Sequence, residues 1–139
     1  MEKLDYVHTR LSIPIVIDLS RGTYVAQTLK KIVDCKSYTA PENKRLFDII
    51  AIDDVARAYL MIGKDGKNKA DYFIGTSRPA KLVDYFEFMA NQVKGVEEDV
   101  RFTRYASDEN LFSTEAIYRD TGFFSHMQFE DMVQKFKSL

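Results

Sequence analysis

The order of apolar and polar positions along the chain predicts strands that alternate with helices. Short β-branched runs typical of buried strands lie at residues 13–19, 47–52 and 70–75, with a further short strand around 100–103. Apolar residues spaced three and four apart predict helices at residues 23–34, 55–62, 82–93, 113–121 and 129–136. This pattern indicates an α/β fold with a small mixed sheet of about three to four strands and four to five helices.

The clearest junction between two such elements lies in residues 46–64. An apolar run ends in two carboxylates, Asp53 and Asp54. A short acidic side chain accepts hydrogen bonds from the free amides of a helix's first turn and faces the positive end of the helix dipole, so both are candidate caps. The helix that follows has apolar residues on nearly every side, which predicts burial, and Gly63 is expected to end it in a left-handed conformation.

The later helices have simpler patterns. Gly95 and Gly122 are expected to end the helices that precede them, and Lys81 takes a position where a capping side chain would be stronger. The aromatic cluster at residues 85–88 has the spacing of core residues rather than of a ligand platform. The last helix is expected to pack as a satellite, and residues 1–12 have no clear period.

Composition limits the classes of function. The chain has 139 residues, enough for one domain, and its 20 basic and 21 acidic residues give a formal charge of -1. No basic stripe is present, which argues against a nucleic-acid partner. No apolar run reaches the ~20 residues needed to span a bilayer, and the N-terminus is too polar for a secretory signal. We therefore expect a cytoplasmic protein without a membrane partner.

The residues that most often carry metal or thiol chemistry are scarce. Cys35 is the only cysteine, so it forms no disulfide within the chain, and it lacks the neighbours that activate a nucleophilic thiol. His8 and His126 are far apart in sequence and have no other ligands at metal-binding spacing. We expect no metal site, and no Ser or Cys has the surroundings of a hydrolase nucleophile.

Three stretches of sequence resemble a known family when they are taken together and in order. They are FDIIAIDDVARAYLM at 47–61, ADYFIGTSRPAKLVDYFEFMANQV at 70–93 and FSTEAIYRDTGFFSHMQFEDMVQKF at 112–136. They resemble successive blocks in the C-terminal half of extended short-chain dehydrogenases, the NAD(P)-dependent epimerases and dehydratases of nucleotide sugars. The resemblance implies that the chain is a single, substrate-side domain of such an enzyme.

The two signatures of the family's other half are absent from this sequence. None of its six glycines forms a GxxGxxG cofactor loop, and no tyrosine has a lysine four residues later. The chain therefore resembles a C-terminal fragment that binds no cofactor and performs no hydride transfer alone, whereas NAD(P) is implied for the complete enzyme. Whether the chain is an enzyme is left open.

The resemblance also implies four substrate contacts. Relatives hold the nucleotide diphosphate with an Arg in "RDFIHV", but Phe47 stands at that position here, so Arg45 is the candidate substitute. A loose counterpart of the family's Arg-x-Gly-Asp loop supplies Arg104 and Asp108, and Arg78 precedes the helix of the second block. The "NVYGP" pocket ending has no counterpart in residues 18–27.

Two interpretations of the function remain. The chain either contributes part of a sugar-nucleotide pocket or is a non-catalytic interaction module derived from that fold. Loss of the cofactor half would uncover apolar surface on residues 13–19 and on the helix that follows Asp54, and such surfaces favour association. Self-association through this interdomain face is expected under either interpretation.

Overall fold

A computed structural model describes residues 5–20, 22–42, 44–95 and 110–139 of the chain. These residues contain six short strands and five α-helices. The strands are β1 (His8–Leu11), β2 (Ile13–Ile15), β3 (Leu46–Phe47), β4 (Ile49–Ala51), β5 (Asp71–Ile74) and β6 (Ala80–Lys81). The helices are α1 (Tyr24–Val33), α2 (Ile52–Asp65), α3 (Leu82–Val93), α4 (Glu115–Thr121) and α5 (Phe129–Lys137), and a 3₁₀ turn covers Asn110–Phe112. The expected α/β fold is confirmed, with more strands than expected.

The strands form three pairs. β1 is parallel to β5, β2 is parallel to β4, and β3 is antiparallel to β6. The chain changes partner between β1 and β2, because the amide of Ser12 donates to Ile74 O at 3.0 Å and that of Ile13 donates to Asp48 O at 3.0 Å. Residues 8–15 therefore join two of the three pairs.

Two strand predictions near the N-terminus need correction. The strand expected at residues 13–19 stops at Ile15, since the amide of Leu19 donates to Val16 O in a turn where Leu19 has a φ of 55°. The pattern of apolar residues missed β1, which carries His8 and Arg10 on one face, both within 3.5 Å of Asp71. The strand predicted around residues 100–103 lies outside the described residues.

Helix α2 is longer and more exposed than expected. It begins at Ile52 and continues through Gly63 to Asp65, so Gly63 does not end it. The next residue, Gly66, has a φ of -64°, so the helix ends without a left-handed residue. Val55 and Ala58 are buried but Leu60 is 76% exposed, which shows that the helix is amphipathic rather than buried all round.

Asp54 does not cap α2 but connects it to the C-terminal part of the chain. Its buried carboxylate accepts hydrogen bonds from the amides of His126 and Met127 at 3.1 Å and from Arg57 at 2.9 Å. Arg57 also donates to Phe124 O and lies over the ring of Phe123, 4.7 Å from its centroid. One carboxylate thus fixes the segment between α4 and α5 against the start of α2.

The helices at the other end of the chain mostly follow the predicted boundaries. Gly95 and Gly122 have a φ of 78°, the left-handed conformation expected after a helix, and Lys81 caps α3 without a side-chain hydrogen bond. The aromatic residues of α3 belong to the main core, as expected. Among the helices described here, none is both long and apolar enough to cross a membrane.

Helix α5 is part of the main core rather than a satellite. Its residues Met132, Val133 and Phe136 are fully buried in the same cluster as α1 and α3. Phe129 also packs edge-on against the ring of Tyr85 with 4.8 Å between centroids. A smaller cluster joins α2, β5 and α4. The expected satellite position was wrong because the apolar face of α5 packs into the same core cluster as α1 and α3.

Tyr72 and Asp120 connect β5 to α4. The hydroxyl of Tyr72 donates to Asp120 Oδ2 at 2.7 Å and accepts from the amide of Lys67 at 2.9 Å. The hydrogen bond from Tyr72, with help from Arg119 and Lys67, lowers the pKa of Asp120 below its usual 3.8. The ionised form of Asp120 therefore stabilises the folded chain.

We expect Asp54→Asn to lower the free energy of unfolding by about 2–3 kcal/mol, because the amide cannot accept all the hydrogen bonds that the carboxylate accepts. Asp65→Asn, at the exposed end of the same helix, is the matched control and should change it by less than about 0.5 kcal/mol. Urea unfolding at neutral pH measures both. Equal stability of the two variants would contradict this role for Asp54.

The lowered pKa of Asp120 predicts a pH dependence. Its contribution to stability is fully present above its unfolded pKa, near 3.8, and is lost as the pH falls through the folded pKa. Asp120→Asn should therefore be less stable than the parent chain at pH 7, and the difference should shrink in acid. Urea unfolding across this range tests the sign; a difference that grows in acid would contradict it.

Candidate functional site

An open cleft lies where the parallel strands β1 and β5 end. Its volume is about 440 Å³, and it is lined by Leu11, Ser12, Ile13, Lys44, Arg45, Leu46, Phe47, Asp48, Phe73, Leu111 and Phe112. Ligands of α/β proteins bind outside the carboxyl ends of parallel strands, so this position is the expected one. Four segments distant in sequence form its wall.

Ser12 contributes a hydroxyl that no described residue hydrogen-bonds. The residue is 8% exposed, and its Oγ is buried without a hydrogen-bond partner among the described residues. Because buried polar atoms are nearly always hydrogen-bonded in folded proteins, such a group needs an explanation. Ser12 lines the cleft, so a ligand atom is one candidate partner for this hydroxyl.

Two cations, Lys44 and Arg45, contribute to the wall of the same cleft. Arg45 is exposed, its guanidinium lies 5.5 Å from the centroid of the Phe47 ring, and no described carboxylate pairs with it. A guanidinium offers paired donors that match the oxygens of a phosphate, and lysine adds a point charge. This part of the cleft suits an anion.

The wall of the cleft also contains aromatic rings. The rings of Phe73 and Phe112 meet edge to face with 5.7 Å between centroids, and the guanidinium of Arg10 lies 5.7 Å from the centroid of the Phe73 ring. Arg10 also donates to Leu111 O at 2.9 Å, which fixes the 3₁₀ turn against the end of β1. Aromatic and guanidinium groups together suit a planar, polar ring.

Asp48 is the structural support of the cleft. Its carboxylate accepts from the amides of Thr76 at 2.7 Å and Ser77 at 3.1 Å, and from the Thr76 hydroxyl. Burial raises the pKa of Asp48, and the hydrogen bonds from Thr76 and Ser77 oppose that shift. With these donors already bound, Asp48 holds the loop after β5 rather than serving as a free base.

The four residues predicted as substrate contacts are placed as follows. Arg45 lines the cleft. Arg78 does not; its guanidinium makes a two-pronged ion pair with Glu130 at 2.8 and 2.9 Å and so ties the loop before β6 to the start of α5. Arg104 and Asp108 lie outside the described residues. One of the four is therefore placed in the site.

Sequence reasoning missed most of the cleft. Ser12, Lys44, Phe73 and the 3₁₀ turn were not singled out. Of these residues, only Lys44 could have been predicted from the sequence, because it adjoins Arg45 in a polar segment that precedes a strand. A serine between two strands and a phenylalanine within a strand carry no such signal.

A second cavity, of about 430 Å³, lies between the ends of α1 and α3. It contains Cys35, whose thiol is exposed and whose backbone has a φ of 56°, together with Lys36 and Tyr38. Burial raises the pKa of the Tyr38 hydroxyl. No buried polar side chain lines this cavity, so the first cleft is the better candidate site.

The described wall of the first cleft can bind but offers little for catalysis. It contains two cations, aromatic rings, the Ser12 hydroxyl and the Asp48 carboxylate, which already accepts hydrogen bonds from Thr76 and Ser77, and it has no histidine, cysteine or tyrosine. Across the part of the chain described, no group of three or more His, Cys, Asp or Glu could hold a metal ion. The described wall therefore offers groups that can bind an anion and a ring, and no residue type that commonly acts as a nucleophile through a thiol or imidazole.

Solved structures share this fold. UDP-glucose 4-epimerase from Thermotoga maritima, solved with UDP-glucose, matches with a TM-score of 0.71 and 16% identity over 97% of this chain and 45% of its own. The enzyme WbmF from Bordetella bronchiseptica, solved with NAD+ and UDP, matches with a TM-score of 0.68 and 16% identity over 95% and 44%.

A third match is dTDP-glucose 4,6-dehydratase from Bacillus anthracis, solved with NAD, with a TM-score of 0.66 and 16% identity over 95% of this chain and 43% of its own. No protein-family model and no curated protein matches the sequence. The fold is thus that of nucleotide-sugar epimerases and dehydratases at low identity, and the chain spans a little under half the length of each.

Gly75 is expected to be indispensable to the loop that Asp48 holds. A Cβ placed on Gly75 would lie 2.5 Å from Phe73 Cε1 and closer still to Asp48 Oδ2. Gly75→Ala should therefore lower the free energy of unfolding by about 1–3 kcal/mol through overpacking. Urea unfolding gives the value.

Gly63→Ala is the matched control, since it lies within α2 and a Cβ there would meet nothing within 4 Å. It should stabilise the helix by up to about 1 kcal/mol. A Gly75→Ala variant as stable as Gly63→Ala would show that the loop after β5 adapts and that Asp48 does not constrain it.

Proposed function

We propose that the chain is the substrate-side portion of an NAD(P)-dependent nucleotide-sugar epimerase or dehydratase, contributes part of the sugar-nucleotide pocket, and is inactive alone. The observation that carries this proposal is the cleft at the end of β1, where two cations and aromatic rings occur together with a buried hydroxyl that has no partner among the described residues. The solved structures with this fold include one with UDP-glucose and one with UDP.

The ligand groups follow from the chemistry of the wall. Arg45 and Lys44 hold the diphosphate, the rings of Phe73 and Phe112 contact the base, and Ser12 hydrogen-bonds a polar atom of the ligand. Arg104 and Asp108, which precede Asn110 in sequence, are further proposed contacts. Arg78 is the fourth proposed contact residue. To bind the ligand, its guanidinium would have to exchange Glu130 for a group of the ligand.

The described residues do not fit the NAD found in some of these neighbours. A dinucleotide diphosphate binds where a glycine turn opens a helix. Gly75 follows a parallel strand, but its loop leads to β6, and its Cβ position is filled by Asp48 and Phe73. We therefore assign no cofactor to this chain, and hydride transfer belongs to the complete, cytoplasmic enzyme.

The alternative function is a non-catalytic α/β interaction module. The specific observation in its favour is the exposed apolar face of α2, on which Leu60 is 76% and Tyr59 is 45% exposed. Residues 13–19 do not supply the expected second part of that face. Ile15 and Leu19 are buried, and Ile13 and Ile17 pack against the main core.

The cleft predicts selective binding. UDP-glucose should shift the amide NMR signals of Ser12, Arg45 and Phe73, whereas NAD and glucose should not. Arg45→Gln should weaken UDP-glucose binding by about 10-fold, since a charged hydrogen bond to phosphate is lost. Isothermal titration calorimetry provides the dissociation constants.

Lys31→Gln is the control, because it removes one exposed positive charge from α1, outside the residues that line the cleft. It should leave the affinity within about 2-fold once salt is present. No shift with UDP-glucose, or equal shifts with NAD, would refute the half-site. Shifts confined to the cavity beside Cys35 would move the site there.

A further inference from the structure

The hydroxyl of Tyr85 connects strand β3 to the loop before β6. Tyr85 lies on α3 and is 1% exposed. Its hydroxyl donates to Arg78 O at 2.8 Å and to Phe47 O at 3.2 Å. Because a phenol has one hydrogen, the two carbonyls share it in a three-centre hydrogen bond. Burial raises the pKa of Tyr85, so the hydroxyl remains a donor at neutral pH.

The Phe47 end of this connection belongs to the candidate site. Phe47 and Arg45 both line the cleft, and the Arg45 guanidinium lies 5.5 Å from the centroid of the Phe47 ring. A guanidinium that stacks on an aromatic ring is held in place by that ring. The position of the Arg45 charge therefore depends on where the backbone holds Phe47.

Strand β3 is too short to hold Phe47 firmly by its own pairing. It consists of Leu46 and Phe47 and pairs with β6, which also has two residues. An antiparallel pair of this length has few backbone hydrogen bonds, because they occur only at alternate residue pairs. A hydrogen bond from a third element therefore adds a substantial constraint on β3.

The other end of the connection is anchored to α5. The Arg78 guanidinium binds the Glu130 carboxylate at 2.8 and 2.9 Å. The neighbouring Phe129 packs edge-on against the ring of Tyr85, with 4.8 Å between centroids. Both the hydroxyl and its acceptor at Arg78 are thus fixed against the start of α5, and the backbone of Phe47 is tied to this fixed point.

We propose that Tyr85 is a positioning residue of the sugar-nucleotide pocket. Its hydroxyl holds the backbone of Phe47, and the ring of Phe47 in turn holds the Arg45 guanidinium where it binds the diphosphate. Tyr85 is not among the described residues that line the cleft, so it acts without touching the ligand. This inference rests on the proposed function, because Tyr85 has such a role only if Arg45 binds the ligand.

The first test removes only the hydroxyl. Tyr85→Phe keeps the ring and its packing against Phe129. It should weaken UDP-glucose binding by about 5-fold in isothermal titration calorimetry, the effect of one neutral hydrogen bond. The amide NMR signals of Arg45 and Phe47 should differ between the free variant and the free parent chain.

Tyr72→Phe is the matched control. Tyr72 is also fully buried, and its hydroxyl likewise makes two hydrogen bonds, to Asp120 and from the amide of Lys67, but it does not line the cleft. This variant should lose stability in urea as Tyr85→Phe does, yet bind UDP-glucose within about 2-fold of the parent chain. The same unfolding curves establish that both variants are folded during the titrations.

The second test combines Tyr85→Phe with Arg45→Gln. Because Tyr85 acts through Arg45, the double variant should bind UDP-glucose about as weakly as Arg45→Gln alone, which is about 10-fold weaker than the parent chain. Two independent effects would multiply to a loss of about 50-fold. A hydroxyl that served only the stability of the fold would not make its effect depend on the residue at position 45.

The outcomes separate the two proposals. Unchanged binding by Arg45→Gln would overturn the proposed function, and the role of Tyr85 with it. Weaker binding by Arg45→Gln with unchanged binding by Tyr85→Phe would overturn the role of Tyr85 alone. A multiplied loss in the double variant, or an equal loss in Tyr72→Phe, would do the same, since either would mean that the hydroxyl does not act through Arg45.

Discussion

Asp48 carries a carboxylate into the interior between β3 and β4, and the cleft depends on what that carboxylate binds. The carboxylate accepts hydrogen bonds from the amides of Thr76 and Ser77 and so holds the loop after β5 against the start of β4. That loop leads into β6, which pairs with β3, so one side chain connects the end of β3 to the loop that precedes β6. The position of Arg45 at the edge of the cleft follows from this pairing.

A second buried carboxylate organises the other half of the molecule. Asp54 fixes the segment between α4 and α5, and that segment sets how α5 enters the main core. The face of α2 that carries Asp54 is thereby committed to the interior. The opposite face of α2 points away from the core, so its apolar residues Tyr59 and Leu60 are exposed.

The helices could be read from the sequence because each has an apolar face of period 3.6, and Gly95 and Gly122 mark two of their ends. Strand β1 could not, because its polar residues His8 and Arg10 remain partly exposed and pair with Asp71 at the start of β5, so no apolar run marks the strand. The burial of α2 was overestimated because the sequence alone does not distinguish an apolar residue that packs in the core from one that is exposed. An apolar helix face that contacts another protein has the same sequence pattern as one that packs in the core.

The cleft was the hardest feature to anticipate. Arg45 was identified through the family resemblance, as a substitute for an arginine that the sequence lacks. Ser12 lies between β1 and β2 and Phe73 lies in β5, and only the three-dimensional arrangement brings them to one wall. What distinguishes Ser12 is the absence of a described partner for its hydroxyl, and a linear sequence contains no record of that.

The change of partner at Ser12 also constrains how this region can evolve. Residues 8–11 are in register with β5 and residues 13–15 are in register with β4, with a single residue between them. Substitutions at Ser12 leave both registers intact, whereas the insertion or deletion of one residue would shift a strand and turn its side chains to the wrong face. The two pairings therefore constrain the length of this stretch more tightly than its composition.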